Sequence, residues 1–186
     1  MSTLITKGRG AANLAGFSAQ YKHKYFCDIV QGNTSNDTRI ENSLAVGAGT
    51  WAPTGSIVFR DENNIAKPGA GASSATNVKV PQIVFVGTEH DNVTSEQGNS
   101  GCGLITTIPL NVDNLIMTTI YNADDTYAEG DLLTVKAFQF EGKEVYGVAK
   151  ATEGDVVVGI VNAAPAMTQY EVMGILFDAY FKPANA

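Results

Sequence analysis

Leu132–Phe140 reads LLTVKAFQF, Glu144–Ala149 reads EVYGVA, Val156–Asn162 reads VVVGIVN and Val172–Phe181 reads VMGILFDAYF. Glu141-Gly142-Lys143 and Glu153-Gly154-Asp155 break the first three apart, and Gly130-Asp131 leads into the first. Branched and aromatic side chains at this density fit a pleated, half-buried surface, and glycine beside a short acid supplies tight turns, so the stretch predicts consecutive β-strands. Within the first run Val135, Ala137 and Gln139 alternate with Lys136, Phe138 and Phe140. Neither face is wholly polar, which predicts a sheet covered on one side and partly on the other.

Working back along the chain, Leu104–Leu110 and Leu115–Tyr121 read as a strand pair around Asn111-Val112-Asp113-Asn114. Val78–Val86 (VKVPQIVFV) is a strand in which Pro81 marks an edge or a bulge, because proline cannot donate to the ladder. Ser56–Phe59 is strand-like, and Tyr21–Val30 is a strand or the point where the chain enters the fold. Lys67–Ser74 has linker composition, and Thr168–Ile175, the best helix candidate, is short. The organisation expected is an arm over residues 1–20, an N-terminal β region over 21–77 that ends in the Gly/Ala/Ser-rich linker, and a main β domain over 78–186. The fold class is all-β.

At 186 residues the chain is long enough for a sizeable core. It holds no apolar window of membrane-spanning length, and Lys7, Arg9 and several glycines interrupt any signal-type core near the start, so no membrane partner is expected. Two cysteines, Cys27 and Cys102, are too few for a disulfide scaffold, and two thiols are the expectation. Charge is divided unevenly. Residues 1–67 carry seven Lys/Arg against five Asp/Glu, whereas residues 68–186 carry five against fourteen. Lys7, Arg9, Lys22 and Lys24 all precede the first acid, Asp28. A Gly/Ala/Ser-rich segment with a cationic stripe and no apolar period is expected to be extended or disordered when free, and to dock on an acidic protein surface, the alternative being a flexible solubilising tail. Those four residues are the candidate partner-binding set.

Chemistry is sparse. Gly98-Asn99-Ser100-Gly101-Cys102-Gly103-Leu104 echoes the nucleophile segment of chymotrypsin-like proteases, but that chemistry needs a histidine oriented by an aspartate, and only His23 and His90 exist. Asn99 and Cys102 depart from the motif, so a small-residue loop is the plainer reading. Asp124, Asp125, Glu129 and Asp131 form the densest acidic group, with Thr126 and Tyr127 where an EF-hand wants an oxygen donor and glycine; a solvated turn is expected. His23 sits between Lys22 and Lys24 and reads as a surface histidine. Four cations without interleaved aromatics on an acidic protein make a poor nucleic-acid footprint. No catalytic residue, metal or cofactor is expected, and none of the sequence points to an enzyme.

Gly130-Asp131-Leu132-Leu133-Thr134-Val135-Lys136, Val145–Ala151 (VYGVAKA) and Asp155–Val161 (DVVVGIV) together resemble the β-domain pattern of tailed-bacteriophage capsid decoration (cement) proteins, over roughly residues 104–181. The resemblance implies a compact β-barrel or β-tulip-like domain with an extended N-terminal arm that reaches a neighbouring subunit. It also implies a structural role on the capsid surface of a virion, with the major capsid protein as partner and homo-oligomers, a trimer first. The alternative is a phage tail or adhesion module that binds carbohydrate or a host surface protein through the Gly87–Gly103 loop and exposed aromatics such as Trp51.

Overall fold

The computed structural model describes residues 27–31, 41–46, 50–71, 80–87, 104–110, 114–140, 142–165 and 174–182. Among these residues there are strands and no helix. In chain order the strands are β1 (Cys27–Gln31), β2 (Glu41–Val46), β3 (Ile57–Arg60), β4 (Ile65–Pro68), β5 (Gln82–Val86), β6 (Leu104–Pro109), β7 (Leu115–Thr118), β8 (Leu132–Phe140), β9 (Lys143–Lys150), β10 (Val157–Ala163) and β11 (Ile175–Lys182). The protein is all-β, as the branched runs and short turns predict.

Five strands close into a barrel in the order β2-β4-β3-β5-β6, and the other six form a sheet in the order β1-β7-β11-β10-β8-β9. Every pairing is antiparallel except β2 with β4, which run parallel. The barrel takes β2, β3 and β4 from before residue 78 and β5 and β6 from after it; Lys67 and Pro68 of the linker-like stretch belong to β4 and pair with β3, and residues 72–74 lie outside the described residues.

Strand alternation explains how the two layers join. Val46, Val58, Ala66, Val84 and Ile105 come one from each barrel strand and pack with Ala52 into one cluster, the filled interior of a narrow barrel. Thr107 donates a hydrogen bond to Gln82 Oε1, and both are buried one pleat along from Ile105 and Val84. The neighbours with opposite parity, Ile57, Ile83 and Ile108, point the other way and join Cys27, Ile116, Leu133, Val148, Val158, Ile175 and Phe177 in a second cluster shared with the sheet. Each such fully buried aliphatic or aromatic side chain contributes about 1.5–3 kcal/mol. Polar ties cross the same junction: Thr118 Oγ1, in β7, donates to the carbonyl of Gly55 at 3.0 Å, and Gly55 N donates to Val84 O at 2.7 Å.

Two expectations need correction. Leu104–Leu110 and Leu115–Tyr121 are strands, but not partners: β6 pairs with β2 and β5, β7 with β1 and β11, and the two lie in different sheets. Leu110 N donates to Pro81 O at 2.9 Å, so the chain leaving β6 is held beside the start of β5 and does not fold back on itself. Of the two readings of Pro81, an edge or a bulge, the edge fails, although β5 does carry a register shift further along, between Val84 and Val86. Pro81 stands one residue before β5, which has neighbours on both sides, and there its missing donor costs nothing in the ladder. Ile175, the end of the helix candidate, opens β11, while residues 168–173 lie outside the described residues.

Candidate functional site

The three Gly-led breaks of the sequence become turns with glycine at positive φ. Two of them share one construction, Ala128-Glu129-Gly130-Asp131 and Thr152-Glu153-Gly154-Asp155, with φ of 87° at Gly130 and 88° at Gly154. In each, the aspartate carboxylate accepts the backbone N–H three residues back, Ala128 N at 2.7 Å and Thr152 N at 2.8 Å. Each also meets a lysine from the β8–β9 hairpin: Lys150 Nζ lies 2.7 Å from Asp131, and Lys136 Nζ lies 3.6 Å from Asp155. The Lys150 ammonium and the Ala128 N–H hold Asp131 below the usual carboxylate range, and the Thr152 backbone N–H does the same for Asp155.

The acidic group read as a solvated turn is therefore partly engaged. Asp125 Oδ2 accepts Lys150 N at 2.8 Å, which caps one end of β9 with a side chain, and Lys150 Nζ also donates to Thr126 O at 3.2 Å. Asp124 and Glu129 are exposed. Among the described residues, no three of His, Cys, Asp and Glu are arranged to hold a metal ion.

These bonds fix a loop along the free side of β9. Val148 N donates to Ile120 O at 3.2 Å, Asn122 N donates to Val148 O at 2.9 Å, and Tyr121 forms a single parallel bridge with Val148. This approach needs Gly147: a Cβ there would lie 2.5 Å from Ile120 O and 2.9 Å from the Phe138 ring. Tyr127 meets Tyr121 edge to face, with centroids 5.9 Å apart and planes at 81°, and its hydroxyl donates to Asn122 O at 2.9 Å. Between this loop and β8 opens a groove of about 500 Å³, lined by Tyr121, Asn122, Asp124, Phe138, Gln139 and Phe140 among others.

Burial, with Asp125 next in effect, raises the Tyr127 pKa, and burial raises that of Tyr121. A tyrosine raised in the folded state stabilises the fold fully below its unfolded pKa of about 10 and loses that contribution as pH rises through the folded value. We expect the melting temperature to drop between pH 9 and pH 11, and Tyr127→Phe to shrink that drop while lowering stability near pH 7 through the lost bond to Asn122 O. Thermal melts of the two proteins at both pH values check this; an equal drop in both would show that Tyr127 does not titrate with unfolding.

Lys7, Arg9, Lys22 and Lys24 lie outside the described residues, as do His23, His90 and Gly98–Gly103. Leu104, the end of the protease-like stretch, is an exposed residue opening β6. Trp51 is half-buried, with Lys143 Nζ 5.1 Å from its ring centroid. The loop expected to bind beside Trp51 lies largely outside the described residues, and the groove beside Tyr121 was not foreseen. Its one sequence signal is the pair Phe138 and Phe140 at period two, on the same face as Lys136. No helix among the described residues is long and apolar enough to cross a membrane. Set against known proteins, the chain matches no family model, no curated protein and no solved structure.

Proposed function

We propose that this chain is a nonenzymatic structural protein of a phage virion, which binds the outer surface of an icosahedral shell and clamps adjacent copies of the major capsid protein. The observation that carries the reading is the division of charge: Lys7, Arg9, Lys22 and Lys24 precede every acid, whereas residues 68–186 hold fourteen Asp/Glu against five Lys/Arg. A cationic segment on an acidic body approaches an acidic surface that the body alone is repelled by. The all-β body supports the reading in a second way. Its barrel and sheet share a core, so a load taken by one layer is carried by the other. Self-association, with a trimer as first expectation, would multiply weak shell contacts by avidity.

Saturable co-sedimentation of the purified protein with undecorated shells tests the function. Binding by none of the candidate shells would remove it. The arm is tested by deletion of residues 1–20, which leaves every described strand in place. The truncated protein is expected to melt as the intact one does but to sediment with shells less well. The double charge reversal Lys7→Glu with Arg9→Glu should weaken binding at low salt, with a smaller remaining dependence on salt. Equal binding of truncated and intact protein at low and moderate salt would show that the cationic segment takes no part in docking. Light scattering reads the oligomer: a monomer both free and on the shell would remove the trimer.

A further inference from the structure

The groove between β8 and the Tyr121–Asp124 turn has a chemistry of its own, independent of shell binding. Its volume, about 500 Å³, is that of a small-ligand site. Three aromatic rings, Tyr121, Phe138 and Phe140, and three planar polar groups, Asn122, Asp124 and Gln139, share its lining. Among the described residues no lysine or arginine lines it, so the described lining offers no cation to a phosphate, a sulfate or a nucleic-acid backbone, and Asp124 opposes them. The polar side chains argue equally against a purely apolar ligand, since covering them without hydrogen bonds costs free energy.

The polar groups are available. Asn122 Oδ1 accepts Asp124 N at 3.3 Å, which orients that amide and leaves its NH₂ to donate. Among the described residues the Asp124 carboxylate and the Gln139 amide hold no hydrogen bond, and both residues are exposed. The aromatic wall, in contrast, is fixed before any ligand arrives. Tyr121 is held by its bridge to Val148 and by the edge of Tyr127, and Phe138 lies against the bare Cα of Gly147. A wall fixed in advance lowers the ordering cost of binding.

The geometry points to a binding site for a neutral saccharide. A pyranose ring presents a C–H face that stacks on an aromatic ring, and around its rim pairs of hydroxyls that donate to a carboxylate and exchange bonds with amides. Tyr121, Asn122 and Asp124 from the turn and Phe138, Gln139 and Phe140 from β8 together supply both requirements, and the Asp124 carboxylate selects against anionic polysaccharides.

The test uses the full chain with neutral oligosaccharides of glucose, galactose and N-acetylglucosamine as probes, followed by saturation-transfer NMR and calorimetric titration. A heparin oligosaccharide serves as the anionic comparison, and shells are absent, so the result stands apart from shell binding. Saturable binding of at least one neutral probe is expected, weakened roughly tenfold by Asp124→Ala or Gln139→Ala, the loss of one or two hydrogen bonds. Both are exposed residues outside the core, and their melting temperatures should match the parent. Phe140→Ala removes one of the three rings and should weaken binding further, and its melt shows whether the hairpin stays folded. The proposal is overturned if no neutral probe saturates up to about 10 mM, a very weak affinity. It is overturned as well if binding survives both surface variants unchanged, or if heparin binds more tightly than the neutral probes.

Discussion

Phe177→Ala is expected to lower the free energy of unfolding by about 3–5 kcal/mol, the usual loss when a large buried aromatic is truncated and its cavity stays open. Phe177 is fully buried in the cluster shared by barrel and sheet. Its strand, β11, is flanked on both sides, by β10 and β7, so the backbone cannot close in on the void. The ring also fills the space left by Gly159, where a Cβ would sit 2.4 Å from Phe177 Cδ2. Collapse would have to draw in two strands at once. Urea unfolding of Phe177→Ala beside Leu132→Ala measures the contrast, because Leu132 is 45% exposed and its loss should change stability by about 0.5 kcal/mol or less. A Phe177→Ala loss under about 1 kcal/mol would mean that the shared core is not close-packed there.

Gly147→Ala carries the second large effect and reaches both stability and the groove. The new methyl group would meet Ile120 O at 2.5 Å and Phe138 Cζ at 2.9 Å, and one of these is backbone that cannot rotate aside. The expected cost is about 1–3 kcal/mol, as for other overpacked sites. The Val148 N–H, bonded to Ile120 O at 3.2 Å, should lose protection from hydrogen exchange as the Tyr121 turn is pushed from β9. Gly154→Ala is the comparison. Nothing lies within 4 Å of a Cβ there, so only the positive φ is penalised, at about 1 kcal/mol. If the two variants melt alike and Val148 stays protected, the close approach of Ile120 to β9 is not structurally demanding.

How far the sequence could be read follows from which forces are local. The turns at Gly130 and Gly154 were legible because glycine and aspartate impose their geometry within four residues, and β8, β9, β10 and β11 follow from the branched runs between and beyond them. Partnership was not legible. Leu104–Leu110 and Leu115–Tyr121 have equal strand character, and nothing in either tells that one closes a barrel while the other crosses to β1 and β11. Those choices are made by the summed burial of Ile57, Ile83, Ile108 and Phe177, residues far apart in the chain. The groove was hidden for the same reason. Tyr121 and Phe138 look like ordinary strand aromatics until Gly147 lets the Ile120–Asn122 segment lie beside β9. The acidic group read correctly as a turn, but its role in anchoring β9 through Asp125 and Lys150 depends on a partner from another strand.

The place of β7 bears on how the protein can be made. All four of its residues, Leu115–Thr118, are buried, and its two edges are covered by β1 and β11, the first and last of the described strands, with Thr118 opposite both Cys27 and Ile175. During synthesis β1 must wait for residue 118 before it can pair, and β7 then keeps an open apolar edge until β11 leaves the ribosome. Pairings so distant along the chain place folding in the slow range of roughly milliseconds to seconds, with the sheet closing only after its last strand is available. Throughout that interval an unprotected strand of LIMT sequence is open to the same strand of a second nascent chain, so refolding yield should fall as protein concentration rises.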